Sequence, residues 1–246
     1  MITIVTYLWE DETRHKRGYV CEWEHVLTLQ SMLERNVTVP YRFVCVTDHV
    51  DGNVQSYHGV DTVPLDMRKH IPGTVYARLM QQNGEWCRKN LGDRVLSVDL
   101  DVAITGNIDH ILNRMEDYVI WRNPNYPLPG RAFYQSSVQL FTAGARQCLW
   151  DDFDTVETPK WVNRRFGGAE QAWISERLEW HEAFFCDEDG VYGAGRLLDG
   201  GTYAEENKDV YTELPANACI VSFPGARAPW QKEVQAKHPW LKDHYK

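Results

Sequence analysis

The stretch Arg94-Val95-Leu96-Ser97-Val98-Asp99-Leu100-Asp101-Val102-Ala103-Ile104-Thr105-Gly106-Asn107-Ile108-Asp109-His110-Ile111 decides how the chain is read. Its first five residues are short, apolar and rich in β-branched side chains, which suits a strand buried on both faces of a parallel sheet. Asp99 and Asp101 follow at once with Leu100 between them. In an extended chain, residues two apart point the same way. Both carboxylates therefore face one point beyond the strand's C-terminal end, where open α/β sheets bind their ligands. Two negative charges so close repel unless a cation lies between them. Hard oxygen ligands of this kind suit Mg²⁺ or Mn²⁺, ions that commonly hold substrate phosphates as well. A solvated acidic turn after a core strand is the competing explanation, and the rest of the chain must decide between the two.

Moving outward, Thr74 is a suitable N-cap for a helix running to about Asn90, which carries Arg78 into the neighbourhood of the core strand. Gly84 lies inside that span. On the other side, Gly106 to Asp109 reads as a turn, with Asp109 capping a short helix. Ile2 to Tyr7 is a second buried strand, expected at the centre of the sheet, and it runs into the charged loop Glu10 to Gly18. Trp23, Val26, Leu27 and Leu33 follow helical spacing between Val20 and Arg35, and Arg42 to Thr47 is a strand again. This βαβ opening predicts a right-handed parallel unit. A short edge strand is expected near Thr62-Val63.

Further along, Tyr118 to Trp121 and Ser136 to Thr142 read as strands, separated by a Pro- and Asn-rich loop from Asn123 to Gly130. Gly144 is expected to open a helix to about Phe153, Trp161 to Gly168 an irregular turn, and Ala169 to Trp180 a helix. Glu170 and Gln171 stand in the first turn of that last helix, where backbone N–H groups and the dipole favour anions. Asp187 to Asp209 reads as loops, Cys219 to Phe223 as a late strand, and Gln231 to Lys246 as a polar, aromatic tail. No repeat, low-complexity segment or linker interrupts the 246 residues, so a single α/β domain spanning 1–246 is expected.

Composition narrows the classes. A hydrophobic content of 43% with 25% charged residues is that of a globular domain. A net charge of -9 argues against a general polyanion-binding surface, hence no nucleic-acid partner. No apolar run reaches the length of a membrane span, and the N-terminus lacks a basic leader. Six scattered cysteines without a CxxC pair predict buried thiols in a reducing, cytoplasmic compartment.

Taken in order, these landmarks resemble the glycogenin-like, family-8 retaining glycosyltransferases. Val95 to Ile111 is similar to that family's core strand, DxD motif and following helix. Arg78 matches its basic residue on the preceding helix. Gln135-Ser136-Ser137 echoes its Asn-Ser-Gly strand start, and Glu170-Gln171 its acidic-Gln pair. Ser222-Phe223-Pro224-Gly225-Ala226-Arg227-Ala228-Pro229-Trp230 echoes its late His-Phe-x-Gly-x-x-Lys-Pro-Trp segment. The resemblance implies a GT-A fold: one Rossmann-like domain, a mostly parallel central sheet, and the DxD at a strand end. It also implies a metal-assisted, retaining transfer from a nucleotide-diphosphate sugar, most simply a UDP-sugar, to a glycan or protein acceptor.

Under this resemblance Asp99 and Asp101 bind Mn²⁺ or Mg²⁺. Thr6, Tyr7 and Tyr19 match the uridine-contacting region. Arg78, Asp99, Ser136, Gly225 and Arg227 serve the donor. Gln171 faces the reacting sugar and Glu170 positions one of its hydroxyls. Trp121, Tyr126 and Tyr134 fall in the acceptor half. Two positions depart from the family: Ser222 stands where its metal-binding histidine belongs, and Ala228 where its phosphate-binding lysine belongs. Arg227 is the nearest substitute for the lysine, and His238 or His244 for the histidine if the tail folds back. Two other readings stay open. One is a nucleotide-sugar-binding protein without turnover. The other is a haloacid-dehalogenase-like phosphatase, in which Asp99 would be the nucleophile.

Overall fold

A computed structural model describes residues 1–10, 20–49, 56–66, 68, 71, 74–124, 132–165, 170–194, 213–223 and 228–246. In chain order the elements are β1 (Ile2–Leu8), α1 (Trp23–Asn36), β2 (Tyr41–Thr47), β3 (Ser56–Tyr57), β4 (Val60–Pro64), a 3₁₀ helix (Tyr76–Gln82), α2 (Gly84–Asn90), β5 (Arg94–Val98), β6 (Val102–Ile104), α3 (Asp109–Leu112) and β7 (Tyr118–Arg122). There follow β8 (Tyr134–Thr142), α4 (Cys148–Asp151), α5 (Glu157–Arg165), α6 (Glu170–Leu178), β9 (Ala183–Phe185), β10 (Val191–Gly193), β11 (Ile220–Ser222), α7 (Lys232–Lys237) and α8 (Leu241–His244).

Eight strands form the main sheet in the order β3-β4-β2-β1-β5-β8-β7-β9, and β10-β11-β6 form a small second sheet. β1, β2, β4 and β5 run parallel, which makes β1 and β5 the two central strands. β8 then enters antiparallel to β5, with Ser97 opposite Gln139. The C-terminal end of β5 therefore opens where strand direction reverses, and this is the geometry that leaves a crevice for a ligand.

Alternation along the strands feeds two cores, one on each face of the sheet. Ile4, Leu8, Leu96, Val98, Val138 and Leu140 pack on one side with Val26, Leu29, Met32 and Leu33 of α1. Val5, Tyr7, Val95, Ile120 and Phe141 pack on the other with the 3₁₀ helix and α6. Period-two alternation in the strands and a helical stripe in α1 are what such layers require. α1 starts with a reciprocal cap in which the Glu22 backbone N–H donates to His25 Nδ1 at 2.8 Å. No helix among the described residues is long and apolar enough to cross a membrane. All six cysteines are described, and no disulfide joins them.

Several local expectations change. The helix expected from Thr74 to Asn90 is two pieces: Asn83 breaks the run and caps α2, its side chain accepting from the Trp86 N–H. Gly84 is where the turn around Gly144 comes close, since a Cβ there would stand 2.8 Å from Gly144 Cα. Gly144 itself has φ +80 and sits in that turn, so the helix expected from it is only α4. Trp161 lies in α5, whose start is held by Asp154, which accepts from the Val156 and Glu157 N–H groups at 2.8 and 2.7 Å. Asp109 is inside α3, and its carboxylate accepts the Thr38 N–H at 2.9 Å, fastening the α1–β2 turn. β9 and β10 arise from a region without strand periodicity. Gly190 precedes β10 with φ +79, and a Cβ on it would lie 2.3 Å from Asn217 O. Gly190→Ala is therefore expected to lower stability by about 2–3 kcal/mol, measured by urea unfolding. An unchanged midpoint would contradict this packing.

Candidate active site

The crevice at the end of β5 is walled by Tyr7, Trp9, Cys21, Val75, Arg78, Asp99, Leu100 and Asp101. The backbone sets Asp99 in place, because its N–H donates to Ser137 O at 3.0 Å across the β5–β8 pairing. Asp101 is held from the other side, since the Phe223 N–H donates to its carbonyl at 2.8 Å, at the point where β11 pairs with β6. Both residues thus line one cleft, but through a turn: Leu100 and Asp101 lie beyond the extended strand, and Leu100 lines the same cleft, so strand alternation is not what brings them together.

Arg78 reaches this cleft from the 3₁₀ helix and is only 3% exposed. Its Nη1 donates to the Asp99 carboxylate. Its Nη2 donates to Ser136 O at 2.8 Å, and its Nε lies 3.5 Å from Glu170 Oε2. The guanidinium also stands over the Tyr7 ring at 5.4 Å. Burial pulls the Arg78 pKa down, but the charges of Asp99 and Glu170 outweigh it and hold the pKa above its ordinary range.

Glu170 opens α6 as expected, yet it is fully buried and does not line the cleft. Burial pushes its carboxyl up to about 7, against the opposing pull of Arg78 and with the help of Asp99; Gln139 and Ser136 favour the charged form. Gln171 is half-buried beside it and is likewise absent from the described cleft wall.

The remaining sequence candidates divide. Tyr7 is in the wall, its hydroxyl donating to Gln81 Oε1 at 2.9 Å. Thr6 lies on the opposite side of β1, fully buried, and does not reach the cleft, because neighbouring strand residues alternate. Ser136 contributes its carbonyl to Arg78 and is itself buried. Trp121 is 1% exposed and Tyr134 fully buried, its hydroxyl accepting the Glu182 N–H, so both belong to the interior. Tyr19, Tyr126, Gly225 and Arg227 lie outside the described residues.

The position of the missing histidine, Ser222, is fully buried in β11, and its hydroxyl has no hydrogen-bond partner among the described residues. Ala228 is also fully buried. The tail does fold back: His238 is buried with its ring 5.7 Å from that of Phe223, and His25 stacks on Trp230 at 3.8 Å. Neither His238 nor His244 joins the described cleft wall. Among the described residues no group of three His, Cys, Asp or Glu side chains is arranged to hold a metal ion. The donor set is therefore not a closed cage. Two carboxylates on one cleft, one of them already bound to Arg78, fit an ion whose remaining ligands come from the phosphates of a bound molecule, the usual arrangement for Mg²⁺.

Residues that the sequence did not single out complete the site. Gln139 stands inside the apolar strand Ser136 to Thr142, accepting from Tyr118 Oη at 2.9 Å and donating to Ser136 O at 2.9 Å. A fully polar side chain in the middle of a core strand was the available signal. Trp9, Cys21 and Val75 had no pattern to mark them.

An unfolded glutamate releases its proton near about 4.3, whereas folded Glu170 keeps its own to about 7. Between these values the folded state binds more protons, so stability falls as the pH rises through the window. Relative to Glu170→Gln, the wild type should lose about 3 kcal/mol between pH 4 and pH 8, read from urea unfolding at stepped pH. Parallel stability curves for the two proteins would refute the buried carboxyl.

No protein family's sequence profile matches the chain, and no curated protein matches it in sequence. Solved structures do. The galactosyltransferase LgtC, determined with donor and acceptor sugar analogues, aligns with a TM-score of 0.60 at 11% identity, over 99% of this chain and 96% of that one. The glycosyltransferase GlyE of Streptococcus pneumoniae TIGR4 aligns with a TM-score of 0.67 at 11% identity, over 98% of this chain and 60% of its own. The bifunctional glycosyltransferase WbbM aligns with a TM-score of 0.55 at 12% identity, over 98% of this chain and 50% of its own. The chain has the GT-A architecture of these glycosyltransferases, an α/β fold with a large, mostly parallel central sheet.

Proposed function

We propose that the protein is a glycosyltransferase that moves a sugar from a nucleotide-diphosphate donor, a UDP-sugar in the first instance, to a glycan or protein acceptor with retention at the anomeric carbon. The observation that carries this reading is the convergence of Arg78, Asp99 and Asp101 on one cleft at the C-terminal end of the central strand β5. The Tyr7 and Trp9 rings give that cleft an aromatic side for a base, and Arg78 gives it a fixed cation for a phosphate. LgtC, with its donor and acceptor analogues, supports the choice of chemistry by likeness of fold.

In the reaction the bond from the anomeric carbon to the diphosphate oxygen breaks, and the acceptor oxygen bonds to that carbon on the same face. The acceptor's proton passes to the leaving phosphate. Arg78 stabilises the departing charge with a guanidinium already oriented before the donor arrives. Resemblance alone puts Gln171, a neutral amide and a poor nucleophile, beside the reacting sugar, since it is not in the described cleft wall. Asp99 and Asp101 would hold a Mn²⁺ or Mg²⁺ ion, which supplies Lewis-acid stabilisation to the diphosphate when bound. Arg227 stands in for the lysine replaced by Ala228, and the protein works in the cytoplasm.

A second reading has its own support. Ser222 and Ala228 are both fully buried small residues where the resembling family has its histidine and lysine. A protein that binds nucleotide sugars without turnover would carry this pattern. The phosphatase reading is set aside, because here the DxD follows the fifth strand of a glycosyltransferase-type sheet.

Two measurements test the proposal. UDP binding by calorimetry should strengthen with Mn²⁺, and Asp101→Ala should remove that strengthening. Equal UDP affinity with and without the ion in the wild type would sink the metal role. Arg227→Ala should slow transfer and donor hydrolysis by roughly ten- to a thousandfold, the scale for one lost transition-state charge donor. A fully active variant would show that another group does the work of the lysine. Nucleotide binding without any turnover would favour the second reading.

A further inference from the structure

Two nitrogens of the Arg78 guanidinium donate to acceptors, and the third, Nε, makes no hydrogen bond among the described residues and meets only the charge of Glu170. Nη1 holds Asp99, Nη2 holds the Ser136 carbonyl, and Nε faces Glu170 at 3.5 Å. Of these residues Arg78 and Asp99 belong to the cleft wall, and Glu170 lies behind them with no exposed surface. A carboxylate in that position is costly. Desolvation of such an ion is unfavourable unless full hydrogen bonding offsets it. Gln139 and Ser136 face it and favour its charge, yet neither carboxylate oxygen makes a hydrogen bond of full geometry among the described residues. Tyr7, Tyr76 and Tyr118 surround it and carry no formal charge in their ordinary state. Among the described residues its cationic neighbour is Arg78, which it meets from behind the cleft wall.

A guanidinium is planar, so contact on Nε fixes the direction in which both Nη groups point. Asp99 and the Ser136 carbonyl hold the two Nη groups, and the Nε edge is left to the charge of Glu170. With Glu170 on the rear edge, the plane is set before any ligand arrives.

We propose that Glu170 is a positioning residue that serves the donor through Arg78, fixing the guanidinium plane that holds Asp99, and does not itself touch the sugar. This rests on the donor-site reading above and changes the role that resemblance alone assigned to Glu170.

A bare nucleoside diphosphate separates the two roles, because it has no transferable sugar. Calorimetry of UDP with Mn²⁺ would be run on the wild type, Glu170→Gln, Glu170→Asp, Arg78→Ala and the double variant Glu170→Gln/Arg78→Ala. In parallel, proton exchange of the Arg78 Nε–H would be followed by NMR in the ligand-free proteins. Glu170→Gln should weaken UDP binding about tenfold, and the loss should vanish in the Arg78→Ala background, as expected for groups that act as one unit. Glu170→Asp should lie between the two. The Arg78 Nε–H should exchange about tenfold faster in Glu170→Gln. Thermal melts confirm folding, and Glu170→Asp carries the NMR comparison if Glu170→Gln does not fold. The proposal is overturned if Glu170→Gln binds UDP like the wild type and loses only UDP-sugar affinity, since that is direct contact. It is overturned equally if Arg78 exchange is unchanged. A wild type that binds no UDP would remove the donor-site reading, while the exchange measurement would still decide whether Glu170 holds Arg78.

Discussion

One cation in the interior governs the architecture around it. Arg78 carries a full charge at a place with almost no access to water, and a charge so placed must be paired and hydrogen-bonded. Its partners come from the end of β5, the start of β8 and the first turn of α6. Strand direction reverses between β5 and β8, and that reversal puts the Ser136 carbonyl and the Asp99 carboxylate within reach of the same side chain. The sheet order, the break at Asn83 and the entry of α6 together bring these partners to a single guanidinium, whose Nε has a charge beside it but no hydrogen bond among the described residues.

Around it lies a polar layer between the sheet and the 3₁₀ helix. Gln139 links Tyr118 and Ser136, Tyr7 links to Gln81, and the hydroxyls of Tyr76 and Ser97 are buried nearby without partners among the described residues. Interiors seldom leave such groups unpaired, and ordered water is the common answer.

Much of the fold was legible because periodicity and chemistry agreed. The β-branched run before Asp99 read as a buried strand, and that put both aspartates near its open end, with a solvated turn as the competing reading. Arg78 was harder: nothing in its neighbours tells a surface arginine from a buried one, since its burial depends on Asp99 and Glu170, which are remote in the chain. Thr6 was assigned with Tyr7 by resemblance, but alternation sends it to the other face of β1. Glu170 was found by its place at a helix start, while its depth depended on how α6 docks. Trp121 and Tyr134 show that aromatic content does not separate core from surface. Gln139, a lone amide among apolar neighbours, was visible in principle and passed over.

The wide separation along the chain of the groups that meet at Arg78 also bears on folding. The β1–β5 and β5–β8 pairings are non-local, and such contacts form only after a large entropic cost has been met. Until both ladders are zipped, Arg78 and Glu170 have no reason to leave water. The charged centre is thus a late acquisition, absent from the folding nucleus. Changes within it should register mainly in how fast the native state comes apart and little in how fast it forms. The region most concerned with chemistry would then be the one whose alteration leaves the route to the fold least disturbed.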